Sequence, residues 1–194
     1  MKHKITASDL LANADYEKIR AEKRAALREI KKNRRVSVGP YATFYFESYD
    51  TMWLQIQEML RIEKGGDAQL VDELRAYNPM IPNGRELTAT VMFEIEDPMR
   101  RQQVLSALGG VEHTIELRFE GEIVKGTAEQ DLDYTSAEGK ASSVQFVHFP
   151  FTSAQVLKFI APQQQVVVAI THAHYGHMAL MPQNIRLELA KDFD

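Results

Sequence analysis

The sequence contains no cysteine. That removes disulfides, thiolate nucleophiles, and zinc or iron–sulfur sites built on the chain's own thiolates. No run approaches the roughly 18 consecutive apolar residues of a membrane helix. No apolar stretch of a secretory leader follows the basic start Met1-Lys2-His3-Lys4, so the expectation is a cytoplasmic protein. A glycine-rich loop ending in Lys-Ser/Thr, a dinucleotide fingerprint after a strand, and Gly-x-Ser-x-Gly are all missing. Phosphate-loop, Rossmann and nucleophile-elbow chemistry therefore find no support. What is present is ordinary globular material: 194 residues, 44% apolar and 26% charged. That is the scale of one domain, and it excludes a disordered or collagen-like chain.

Charge is unevenly placed. Residues 1–35 hold 11 Lys/Arg and 5 Asp/Glu, a local charge of +6, which leaves −10 on the other 159 residues of a chain whose formal charge is −4. A basic front on an acidic body either docks on its own domain or meets an anionic partner. Asp15, Glu17, Glu22 and Glu29 interleave with the bases as helical pairs do. Residues 17–35 contain no aromatic, and the whole protein is acidic, which argues against nucleic acid.

The hydrophobic period separates helices from strands. After a short turn at Ser8–Leu11, Asn13 opens a helix to about Lys32. Tyr16, Ile19, Ala26, Leu27 and Ile30 share one arc, interrupted by Lys23, the mark of a helix laid on a surface. Val36–Val38 and Thr43–Phe46 flank Gly39-Pro40 as a hairpin. A helix from about Thr51 to Lys64 stops at Gly65-Gly66, and a second runs from Asp67 to Ala76. Ala89, Val91, Phe93 and Ile95 alternate as a half-buried strand. Asp97-Pro98 starts a helix ending at Leu108. Strands follow at Ile115–Phe119, Ile123-Val124, Ser143–Phe149 and Val166–Thr171. Residues 126–142 read as the longest loop. Thr152 to Gln155 is a capping box for a helix to Ile160, and Pro182 starts a terminal helix. Short strand links favour an antiparallel sheet with helices on one face. The expectation is one α+β domain over 1–194, made of a basic helical segment (1–35) and a body (36–194).

Two groups of residues carry candidate chemistry. On the helix near residue 58, Met52, Trp53, Ile56, Met59 and Leu60 share an arc into which Glu63 falls, with Gln55 beside Met59. A carboxylate there must pair, bind something or reach solvent, and Arg34, Arg35 and Arg61 are available partners. The second group is histidine. His113 has the parity of Ile115 and Leu117, and His148 that of Val144 and Phe146. His172 and His174 have the parity of Val168 and Ile170, with His177 following. Residues two apart on a strand project to one side, so His172, His174 and His177 could hold a divalent transition metal with a carboxylate. Hydrogen-bonded histidines at a strand end are the alternative.

Three stretches are distinctive: Lys31-Lys32-Asn33-Arg34-Arg35-Val36-Ser37-Val38-Gly39-Pro40 with Thr43-Phe44-Tyr45-Phe46-Glu47, then Gln55 to Glu63, then Glu73-Leu74 with Ala76-Tyr77-Asn78-Pro79-Met80-Ile81-Pro82. Together they resemble the bacterial family called domain of unknown function 3501, over nearly the full chain and most specifically in residues 31–95. His172 and Tyr175 match a His-x-x-Tyr element of that family, whereas Gln145 stands where a histidine is expected. Members of the family are often encoded near rubrerythrin-like and iron–sulfur proteins. The resemblance therefore implies a redox or oxidative-stress setting and partners of those kinds. It also draws Arg34, Arg35, Glu47, Gln55, Glu58, Arg61, Glu73, Tyr77 and Asn78 into one constellation, which Glu63 adjoins. Such a set either binds an anionic or amide-bearing ligand or forms a network that docks the hairpin, helices and proline loop. Two functions stand at this point: a cytosolic binding or accessory protein, compatible with a homo-oligomer, and a small metalloenzyme with a His/carboxylate site.

Overall fold

The computed structural model describes residues 2–129 and 133–194. Strand alternation builds the core. Val36, Val38, Phe44, Phe46, Leu87, Ala89, Val91, Phe93, Val147 and Phe149 turn inward from one sheet. Ile115, Leu117, Phe119, Val124, Val168, Ile170 and Tyr175 meet them from the other. The first sheet has the order β1 (Arg35–Val38), β2 (Ala42–Phe46), β3 (Glu86–Phe93), β7 (Val144–Pro150), β6 (Thr127–Ala128). The second has the order β5 (Glu122–Lys125), β4 (Ile115–Phe119), β8 (Val167–His172), β9 (Tyr175–Leu180). Every strand pairing is antiparallel. The α+β reading holds, but the single expected sheet is two sheets packed face to face.

Each edge of this sandwich is fastened. At one edge β5 passes through Gly126 directly into β6 of the opposite sheet. A Cβ at Gly126 would lie 2.6 Å from Val147 Cγ1, so a larger residue would push the sheets apart. At the other edge the Tyr175 hydroxyl accepts from the Tyr41 and Ala42 amides, both at 2.9 Å, and donates to the Val38 carbonyl at 2.8 Å. One phenol thereby ties β9 to the β1–β2 turn. The turn residue Gly39 has φ +69°, and a Cβ there would meet His177 at 2.5 Å. Glycine is required at this position both for the backbone and for the histidine beneath it.

Helices cover the outer face of the five-stranded sheet. α2 (Tyr49–Glu63) is capped by Ser48 and Thr51, and α3 (Gly66–Tyr77) follows it. Met52 and Ile56 of α2 bury against Ile5, Met80, Ile81 and the outward side of Phe146. α1 (Asn13–Lys32) lies outside α2 and buries only Tyr16 and Leu27, as its broken stripe foretells. Asn13 does not cap α1; its amide donates to the Leu60 carbonyl at 3.3 Å. α4 (Pro98–Ser106), capped by Asp97, closes one end of the sandwich through Leu105. α5 (Ser153–Ile160) and α6 (Gln183–Leu189) close it through Phe159, Ile185 and Leu189, beside a cluster of Phe119, Phe151 and Phe193. On the outer face of the four-stranded sheet, Ile123, Met178 and Leu180 are exposed.

Several expectations need correction. β9 was not expected, and neither was β6, which sits inside the proposed loop 126–142. Residues 130–132 of that loop lie outside the described residues. His113 is not on a strand. It ends the 3-10 turn Val111–His113 and is exposed. His174 lies past the end of β8, in the turn before β9, so it does not share a strand face with His172.

Candidate functional site

The helical layer is assembled on the segment that precedes α1. Ile5 is buried, and the Asn78 side chain pairs with its backbone like a neighbouring strand, accepting from Ile5 N at 2.7 Å and donating to Ile5 O at 3.0 Å. Gln57, fully buried on α2, does the same for Leu11 at 2.6 and 3.3 Å. Trp53, one turn earlier, donates its indole N–H to the Asp9 carbonyl at 2.8 Å. Two amides and an indole thus hold an otherwise irregular segment by its main chain, satisfying backbone groups that would otherwise be stranded.

α1 is clamped on α2 by Glu58. Its carboxylate accepts from Tyr16 Oη at 2.6 Å and from both ends of the Arg20 guanidinium, at 2.7 and 2.9 Å. The bidentate Arg20 pair is the main reason its pKa falls to about 2; desolvation opposes this, and the Tyr16 hydrogen bond adds to it. Burial, followed by the adjacent carboxylate, pushes the Tyr16 phenol well above its ordinary value. Arg61 completes the group, 3.8 Å from Glu58 and 3.6 Å from Glu17.

Beside this clamp, α1 and α2 line a groove of about 450 Å³. Ile19, Lys23, Ala26, Leu27 and Ile30 of α1 form one wall. Tyr49, Asp50, Trp53 and Leu54 of α2 form the other, and Asp9 and Leu11 also line it. The volume falls within the range of ligand clefts, roughly 300–1,000 Å³. The groove is apolar with few charges. Asp9 is neutralised by Lys2 at 2.7 Å, and the Lys23 ammonium lies 5.8 Å from the centre of the Trp53 ring. Trp53 is the chain's one tryptophan, held edge-on to Tyr16 with centroids 5.9 Å apart. Its wall is fixed before any ligand arrives. The sequence showed this stripe as a line of apolar residues broken by Lys23. The structure makes the stripe, Lys23 included, one wall of a groove.

The expected polar constellation divides. Gln55, Glu58, Arg61, Glu63, Glu73, Tyr77 and Asn78 stay in the helical layer. Arg34 and Glu47 belong to the hairpin, and no hydrogen bond or ion pair among the described residues joins them to the helical members. Arg34 is 3% exposed. It donates to the carbonyls of Phe46 (3.1 Å) and Glu47 (2.7 Å) and pairs with Asp192, itself 2% exposed. Burial pushes the Asp192 carboxyl up, against the pull of Arg34. Arg35 is exposed on β1. Glu47 accepts from Thr90 at 2.7 Å. Gln55 reaches the Tyr77 hydroxyl only at 3.4 Å. Glu63 pairs with none of Arg34, Arg35 or Arg61. It is exposed and accepts from Gln69 at 3.2 Å, while Gln69 also donates to Glu73 at 3.1 Å. Tyr16, Arg20, Gln57, Gln69 and Asp192 are the partners that the sequence reading did not name.

The histidines do not converge either. His172 uses both ring nitrogens: Nδ1 accepts from the His174 amide at 3.2 Å, and Nε2 faces the Gly109 carbonyl at 3.2 Å. The His174 ring is 5.8 Å from that of His172, and His177 instead packs on Tyr175 with ring centres 4.5 Å apart. Among the described residues, no three His, Asp or Glu side chains are placed to hold one metal ion. His148 has a different setting, between Glu129 (2.6 Å) and Glu86 (3.1 Å). Burial works against its charge, but the two carboxylates outweigh it and raise its pKa.

A family profile described as a protein of unknown function, DUF3501, matches residues 4–193. The chain belongs to that family. The DUF3501 fold is also seen in the crystal structure of a novel protein of unknown function from Burkholderia pseudomallei. That chain is 34% identical over 98% of this chain and 100% of its own, with a TM-score of 0.91. None of the curated proteins matches. No helix among the described residues is long and apolar enough to cross a membrane.

Proposed function

We propose that this DUF3501 member is a non-catalytic binding protein of the cytoplasm, and that the groove between α1 and α2 is where it holds its partner. The observation that carries this reading is the groove itself, lined mostly by apolar side chains and walled in part by an indole that a backbone hydrogen bond holds in place. The charged clusters nearby are occupied. Glu58 is saturated by Tyr16 and Arg20, and Arg34 is sealed against Asp192. A metalloenzyme built on His172 and His174 is not carried forward, because both nitrogens of His172 are engaged. The partner class we retain is the one implied by the family resemblance, a rubrerythrin-like or iron–sulfur redox protein.

The neutral fluorophore N-phenyl-1-naphthylamine tests the groove. With a single tryptophan in the wall, energy transfer from Trp53 reports occupancy directly. Saturable transfer is expected, and Ala26→Phe, which fills the groove from an exposed position on α1, should abolish it. Transfer that survives Ala26→Phe unchanged would refute the reading.

A further inference from the structure

We infer that His148 is a proton-operated latch: as an imidazolium it ties the end of edge strand β6 to the central strand β3, and loss of that proton releases Glu129 and opens the edge of β7. The atoms that the ring faces require the charge. Nδ1 lies 3.1 Å from Glu86 Oε2, and Nε2 lies 2.6 Å from Glu129 Oε2. An ionised carboxylate only accepts, and a neutral imidazole has one N–H. Both contacts are hydrogen bonds only when the ring carries both protons. His172 shows the other case in the same chain: its Nδ1 accepts from an amide, which needs the unprotonated nitrogen. The side chains of Glu86, His148 and Glu129 are 13%, 17% and 23% exposed, so water screens the three charges only weakly.

The topology decides which carboxylate lets go. His148 lies on β7 in register with Thr88 of β3 and Thr127 of β6, neither of which carries charge. Among the described residues, the charged groups within ion-pair distance of its ring are Glu86 and Glu129. Glu86 opens β3, a strand paired on both sides, by β2 and β7. Glu129 follows β6, which is two residues long and lies at the end of the sheet. There the Glu129 amide donates to the Phe146 carbonyl at 2.9 Å, and the Tyr134 hydroxyl shares that carbonyl at 3.4 Å. Tyr134 does not compete for the proton: burial, then the charges of Glu129 and Glu112, push its phenol up to about 12. Burial works against the His148 charge, but the two carboxylates outweigh it, so the ring titrates above the ordinary 6.5. A folded value above the ordinary one means that the latch is fully closed below pH 6.5 and is lost as the pH rises through the folded value. The neutral ring then sets a nitrogen lone pair against a carboxylate oxygen. The short edge yields before the doubly paired β3 does.

Nuclear magnetic resonance of the full chain tests the latch. The His148 ring signals are those that vanish in His148→Gln. At about pH 6 both of its ring nitrogens should carry protons, and its titration midpoint should lie above 6.5. The protection of the Glu129 amide against hydrogen exchange should fall across that midpoint, by about tenfold for each pH unit that the midpoint exceeds 6.5. Ala89, on β3 between Phe46 and Val147, should keep its protection and so report that the fold is intact. Glu129→Gln should bring the midpoint down towards 6.5, and both it and His148→Gln should make protection at position 129 independent of this titration. A midpoint at or below 6.5, or a single protonated ring nitrogen at about pH 6, overturns the inference. So does Glu129 protection that stays level through the midpoint. Loss at Ala89 in step with Glu129 overturns it as well, because the proton would then be stabilising the whole fold and not one edge.

Discussion

The β8–β9 turn and the α1–α2 groove make opposite use of their residues. The turn holds His172, His174, Tyr175 and His177 within six positions, the most chemically suggestive run in the chain, and spends three of the four on its own geometry. His172 is bonded on both nitrogens, His177 sits under Gly39, and the Tyr175 hydroxyl makes three backbone hydrogen bonds. The groove is lined by Ile19, Ala26, Ile30 and Leu54, none of which would attract notice, and its walls remain open. The lesson is that reactive residue types do not mark a site unless their bonding capacity is left unspent.

The contrast can be tested by removing what each region spends. Tyr175→Phe should have the largest effect, because it leaves the Tyr41 and Ala42 amides without their acceptor at a buried edge of the sandwich. A loss of about 3 kcal/mol is expected in urea unfolding. A change below about 1 kcal/mol would mean that the turn is held by other contacts.

Glu58→Gln comes next, at about 2 kcal/mol, since it weakens the bonds from Arg20 and Tyr16 without emptying the space. The same carboxylate gives a pH signature. Its folded pKa, about 2, lies below its ordinary value near 4.5, so its stabilisation is complete above pH 4.5 and is lost as the pH falls towards 2. Wild-type unfolding midpoints should drop through that window, and those of Glu58→Gln should drop less. Identical acid limbs would remove the clamp from the account.

The smallest effects belong to the histidines first read as metal ligands. His172→Ala should cost about 1 kcal/mol through its bonds to Gly109 and His174. His174→Ala should stay within about 0.5 kcal/mol. Untagged protein purified without added metal should carry less than one transition-metal ion per chain, unchanged in the double variant. Stoichiometric metal that disappears with His172 and His174 would restore the enzyme reading.

Much of the architecture was legible because it is local. Ala89, Val91, Phe93 and Ile95 alternate and are all buried. Asp97 and Thr152 cap the helices that they precede. The broken stripe of α1 described a helix resting on a surface. β9 escaped because its polarity is inverted: Tyr175, His177 and Ala179 face inward, while Met178 and Leu180 lie exposed. Of the ten residues proposed as one ligand site, the sequence placed most in the right element but could not supply their partners. Glu58 is bonded to residues 38 and 42 positions away, and Arg34 to one 158 positions away.

By itself the sequence determined the periods, the caps, the absence of thiol chemistry and the concentration of positive charge at the front of the chain, all of which depend on neighbours within a turn or two. Only the tertiary structure decided that two sheets face each other, that the histidines are consumed by a turn, and that residues of α1 and α2 together line a groove. Those outcomes follow from contacts between distant segments, where a side chain's chemistry is set by whichever donor or acceptor the fold brings against it.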